Sequence, residues 1–243
     1  MTRPVRAGRR FYGVDVGIVL LDNDLPRPLG DVGNARTFDY PVAYATGHGA
    51  DTVRVVENGA TGLYESIADA ADALVASGVR AVTTCCGFLA VFQRELAGRT
   101  GVPTATSSLL QVPVVLRLLA PDRTVCVLSV NASTLSDAHL AAVGVDETDR
   151  KRVHLVGLED TEHFYRVIVT GEHRELDVDR AGTEVVAAAR AAVADAPDIG
   201  AFVFECTNLP PYAPAVRQAT GLPVWDAVTL IDWLRAGVAE DAT

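Results

Sequence analysis

The chain has 243 residues, 49% of them hydrophobic, enough to bury a substantial core as one large domain or two small ones. Its 21 basic and 31 acidic residues give a net charge of −10, which argues against a surface for nucleic acid or anionic membrane. Four cysteines, at 85, 86, 126 and 206, are too few for a disulfide scaffold, and five scattered histidines without Cys-x-x-Cys do not fit structural zinc. No metal or cofactor is expected.

The first dozen residues hold four arginines, but no apolar segment with a cleavage site comes after them, and no run is long enough to span a membrane. Residues 1–12 therefore read as a frayed basic tail on a cytoplasmic protein. Next, "GVDVGIVLL" (13–21) predicts a strand. The Pro- and Gly-rich "DNDLPRPLGDVGNARTFDYP" after it predicts a long loop of the kind that carries function. Residues 60–77 place Leu63, Ile67, Ala70, Ala71 and Leu74 on one helical face.

"VRAVTT" then predicts a strand, "FLAVFQREL" a helix, "VPTAT" a strand and "LLQVPVVLRLLA" a helix interrupted by Pro113. Further on, "TVCVLSV" (124–130) reads as a strand, "LSDAHLAAVG" as a helix closed by Gly144, and "RVHLVGL" as a strand. Two helices cover about 161–194, "AFVFEC" is a strand, and "LPVWDAV" with "TLIDWLRAGV" ends the chain. Short apolar strands alternating with helices define an α/β protein with parallel sheets, in which ligands sit at the carboxyl ends of strands.

Two stretches repeat. Thr100-Gly101-x-Pro103 follows Cys86 by 14 residues, and Thr220-Gly221-x-Pro223 follows Cys206 by the same 14. Each copy runs strand, Cys at the strand tip, helix, Thr-Gly turn, strand, which implies a duplicated architecture with the two thiols facing each other across a cleft. A strand-tip cysteine that opens a helix lies by free backbone N–H groups, which favours thiolate. Two such groups on opposite sides of one carbon can remove a proton from one face and deliver one to the other. Most cysteines are small packing residues, and Cys126 and Cys85 are assigned to that role.

A substrate carboxylate needs donors, and strand ends offer Ser107, Ser108, Asn131, Ser133 and Thr134. The same residue types are what helix starts prefer, so capping is the competing explanation for each. Asp22, Asn23 and Asp24, in the loop after the first strand, could orient a thiol or read an ammonium group, with a solvated turn as the competing explanation. No arginine stands beside either cysteine in sequence, which argues against a bidentate grip on a second, side-chain carboxylate and leaves hydrophobic or cyclic substrates open.

"GIVLLD", "TTCCGFL" and "ECTNLPPY", in this order and spacing over residues 13 to 235, resemble the aspartate/glutamate racemase superfamily, which also holds hydantoin racemases, maleate isomerases and arylmalonate decarboxylases. The resemblance implies two pseudo-symmetric α/β lobes, each a mostly parallel sheet flanked by helices, with the active-site cleft between them. The first lobe is expected over 13–115 plus 222–243 and the second over 116–221. Cys86 and Cys206 match the two catalytic cysteines, and Gly87, Thr207 and Asn208 match positions that help hold a carboxylate. Phe88 joins them as a substrate-binding candidate, although the first cysteine of the family is usually followed by Asn-Thr.

The implied function is a cofactor-independent racemase or epimerase of an amino acid or related carboxylic acid, using a thiolate/thiol pair, and a homodimer or higher homo-oligomer. The alternatives are a single-cysteine maleate-type isomerase or malonate decarboxylase, and a non-catalytic small-acid-binding protein.

Overall fold

The computed structural model describes residues 7–239. Two four-stranded parallel sheets form the two lobes. The first contains β1 (Val16–Leu21), β2 (Val42–Gly47), β3 (Ala81–Thr84) and β4 (Thr104–Ala105), in the order β2-β1-β3-β4. The second contains β5 (Thr124–Ser129), β6 (Val153–Gly157), β7 (Ile199–Phe204) and β8 (Val224–Trp225), in the equivalent order β6-β5-β7-β8. The strand at 224–225 thus belongs to the second sheet, although the sequence division assigns it to the first lobe; its residues pair with Phe202 and Val203.

Helices α1 (Thr52–Val56), α2 (Tyr64–Ser77), α3 (Gln93–Thr100) and α4 (Val112–Leu118) lie in the first half of the chain. They are followed by α5 (Asp137–Ala142), α6 (Glu147–Arg150), α7 (Phe164–Ile168), α8 (Val178–Asp195), α9 (Ala213–Thr220) and α10 (Ala227–Val238). α2 buries the predicted face, Ile67, Ala70, Ala71 and Leu74, against β1–β3. A Cβ at Gly17 on β1 would meet the Leu74 side chain at 3.0 Å, so this strand needs glycine for the helix to approach. α10 returns to the first sheet, where Leu230 and Leu234 pack on Ala81 and Ala105.

The repeat is visible in three dimensions. α3 and α9 each end at a left-handed glycine, Gly101 with φ 67° and Gly221 with φ 71°, and each leads into a two-residue strand. Both cysteine-bearing tips open not on an α-helix but on a 3₁₀ turn, Gly87–Phe92 and Pro210–Tyr212. Pro113 does not interrupt α4; it sits in the first turn, where its missing N–H costs nothing.

The sequence reading misses β2, α1 and α6. β2 is an edge strand of half-buried small residues, so it lacks an apolar run, while α1 and α6 span only 5 and 4 residues. The basic tail differs as well. Its residues 1–6 lie outside the described part, but Arg10 N–H donates to Ser77 O (3.2 Å), so the segment is docked on the end of α2 rather than frayed there. No helix among the described residues is long and apolar enough to cross a membrane.

Candidate active site

The carboxyl ends of β3 and β7 meet at a narrow cleft. Cys85, Cys86, Gly87 and Phe88 line it from the first lobe, and Val130, Glu205, Cys206, Thr207 and Asn208 from the second. Two contacts fasten the tips together: Thr207 Oγ1 donates to Cys85 O, and Ser108 Oγ donates to Phe204 O (2.6 Å) and Glu205 O (3.1 Å). Gly87 is required here because a Cβ would lie 2.3 Å from Glu205 Oε1. Glycine after the first cysteine therefore lets the lobes close on each other.

The long loop after β1 covers the cleft. Its centre is Asp31, which is fully buried and accepts hydrogen bonds from Gly33 N (2.7 Å), Arg27 Nη1 (3.1 Å) and Asn208 Nδ2 (2.6 Å). Arg27 Nη2 also donates to Asn23 Oδ1 (3.1 Å). Through Asn208, whose Oδ1 lies 3.5 Å from Cys206 Sγ, this network reaches the second thiol. Arg27 thus enters the cleft from a distant part of the chain, although no arginine stands beside either cysteine in sequence.

Electrostatics also differ from the expectation of readily formed thiolates. Burial pushes both Cys86 and Cys206 well above the ordinary thiol range, and the neighbouring Glu205 charge adds to it. The N–H groups of Phe88 and Asn208 do favour the respective thiolates, but a short 3₁₀ turn cannot offset the loss of solvent. Asp31 opposes the thiolate at Cys206 and at Cys85, and Arg27 favours it at both. Burial likewise lifts Glu205 to about 7, against the opposing hydrogen bonds of Ser129 and Val130. Cys85 is not simply a packing residue: it lines the cleft and accepts a hydrogen bond from Leu21 N at 3.1 Å. Cys126 is fully buried in β5, with burial raising its thiol to about 12.

Of the sequence candidates, Cys86, Gly87, Phe88, Cys206, Thr207 and Asn208 come together at the cleft. Asp22 points away from it, accepting from Gly49 N (2.7 Å) beside the exposed His48. Ser107 caps the turn at Leu109, and Ser108 joins the lobes. Asn131 Oδ1 organises a turn by accepting from Ser133 and Thr134 N–H groups, while its Nδ2 donates to Glu57 (3.0 Å) and Tyr165 (3.2 Å). Those five residues shape the surroundings and are not part of the cleft lining. Sequence reasoning points to Asn23 in the loop but misses Arg27 and Asp31 and assigns no role to Glu205. The i, i+4 spacing of Arg27 and Asp31 is the signal the loop offered.

The two-lobed fold is shared with solved structures of an arylmalonate decarboxylase and of aspartate and glutamate racemases. Unliganded arylmalonate decarboxylase aligns over 95% of this chain and 94% of its own, at 18% identity and a TM-score of 0.54. An aspartate racemase homologue from Pyrococcus horikoshii aligns over 93% and 99%, at 15% identity and a TM-score of 0.57. No protein-family model matches the chain.

Curated proteins more similar in sequence show the family. A dimethylsulfoniopropionate lyase of Durusdinium sp. clade D is 34% identical over 232 residues, 93% of this chain and 75% of that protein. Dimethylsulfoniopropionate lyase 3 of Emiliania huxleyi is 34% identical over 235 residues, 93% of this chain but only 60% of the longer relative. The chain belongs to the dimethylsulfoniopropionate lyase family.

This overturns the racemase and isomerase expectation, because the curated relatives are lyases. The physical reason is that strand-tip thiols report only that a proton is taken from carbon. The fate of the resulting carbanion depends on whether the next carbon carries a leaving group, and no motif encodes that.

Proposed function

We propose that the protein is a lyase that eliminates a sulfonium group from a β-sulfonio carboxylate such as dimethylsulfoniopropionate, with Cys206 as the base. The observation that carries this reading is the 34% identity to curated dimethylsulfoniopropionate lyases over 93% of the chain. The cleft supports it chemically. Cys206 thiolate takes the proton from the carbon beside the carboxylate. The electron pair of that C–H bond becomes the C=C bond, the C–S bond breaks, and dimethyl sulfide leaves as a neutral molecule with the bonding pair. Acrylate remains, and the proton rests on Cys206.

Cys206 is preferred over Cys86 because Arg27 offsets part of the opposition of Glu205 and Asp31 to its thiolate, whereas Cys86 faces Glu205, Cys85 and Cys206 with no arginine among its main influences. Arg27 serves as the carboxylate anchor and stabilises the enolate-like charge as the proton departs. A neutral leaving group needs no acid, so only one thiol must exchange a proton.

The test is the stoichiometry of products. Purified protein incubated with dimethylsulfoniopropionate is expected to release dimethyl sulfide, measured in headspace gas, and acrylate in equal amounts. The neutral thioether acid lacking the third S-substituent is expected to survive intact. Absence of both products with correctly folded protein would refute the elimination.

A further inference from the structure

Glu205 sits at the floor of the cleft with its hydrogen bonding half complete. It is fully buried, and its backbone is fixed on both sides, N–H to Leu128 O (2.9 Å) and O from Ser108 Oγ (3.1 Å). Oε2 accepts from Ser129 Oγ at 2.8 Å. Oε1 has no hydrogen-bond partner among the described residues and lies at the lobe junction against Gly87. A buried carboxylate oxygen left unpaired is costly and calls for an explanation.

The charged and titratable groups around it do not supply one. Cys86 and Cys206 face it from the two strand tips, and each is disfavoured as thiolate by the Glu205 charge. Arg27, the cation of the cleft, donates one Nη hydrogen bond each to Asp31 and Asn23 and none to Glu205, and Cys85 and Asp31 belong to that same side. The cleft is therefore dipolar, with an arginine contributed by the cover loop and an uncompensated carboxyl at the β7 tip.

We propose that Glu205 is the subsite for the cationic onium group of the substrate, its free Oε1 facing the positive centre while Arg27 holds the carboxylate. The identity of the onium acid rests on the elimination reading, but the subsite itself requires only a short zwitterionic ligand. Because burial holds the Glu205 carboxyl up to about 7, an onium ligand binding near neutral pH ionises it and expels a proton. In the complex the onium charge offsets that of the ionised Glu205, so ionising the carboxyl does not add to the opposition to either thiolate.

The experiment compares two probes that lack a sulfonium leaving group: β-alanine betaine, and its uncharged isostere in which a quaternary carbon replaces nitrogen. Calorimetry of the wild type in two buffers of different ionisation heat is expected to show proton release with the betaine and none with the isostere. E205Q is expected to lower the affinity ratio of betaine to isostere at least about tenfold. Equal affinity for the two probes, or betaine binding without proton release near neutral pH, overturns the subsite, and that wild-type measurement decides the matter even if E205Q does not fold. Betaine preference dependent on Glu205 in a protein that releases no dimethyl sulfide would sink the elimination reading and leave the subsite standing. Dimethyl sulfide release with an unchanged probe ratio in E205Q would do the reverse.

Discussion

Cys86 and Cys206 occupy equivalent places in the two lobes, yet their surroundings differ. Cys86 is followed by Gly87, stands next to a second thiol and is pressed by Glu205 across the lobe junction. Cys206 is tied through Asn208 to Asp31 and feels the Arg27 cation. A symmetric pair suits a reaction that treats two faces of a carbon alike, whereas an unequal pair suits one in which a single thiol moves the proton. The inequality comes from the cover loop, which sets Arg27 and Asp31 beside Cys206 and Cys85, while neither is among the main influences on Cys86.

Removing the better-supported thiol tests this inequality most severely. C206S is expected to lower the rate of dimethyl sulfide release about a thousandfold with little change in melting temperature. R27M ranks second, since it strips the buried Asp31 of its cation. A loss of about 3 kcal/mol in urea unfolding is expected, together with a raised KM, and R27M/D31N should recover part of the stability but not the KM.

The pH dependence of stability has a definite sign. Glu205 binds its proton more tightly folded, at about 7, than unfolded, near 4.5, so its contribution is full below the lower value and is lost as pH rises through the upper one. The wild type should therefore lose roughly 3 kcal/mol from this group across that window, and E205Q should flatten the slope. A slope of the opposite sign in the wild type that E205Q removes would contradict the assignment. C86S carries the smallest expected effect, about a tenfold drop in rate, because that thiol packs the cleft and is not required to exchange the proton.

Much of the architecture was legible in the residues. The 14-residue offset from cysteine to Thr-Gly repeats because each lobe ends its helix at a left-handed glycine and re-enters the sheet at once. Cys86 and Cys206 stand out from that repeat. Arg27, Asp31 and Glu205 do not, since Arg27 and Asp31 act from a loop whose path depends on tertiary contacts and Glu205 gains its character only when Gly87 closes over it. Asp22, although adjacent to Asn23, turns outward at the end of β1, and its apparent promise reflected chain position alone. The reaction class was less legible still, because it is set by the ligand's leaving group.

The most direct test monitors dimethylsulfoniopropionate in heavy water by proton NMR with wild type, C86S and C206S side by side. The account predicts equal amounts of acrylate and dimethyl sulfide from the wild type, slower formation with C86S and essentially none with C206S. Deuterium entering the carbon beside the carboxylate without any dimethyl sulfide, and depending equally on both thiols, would contradict it.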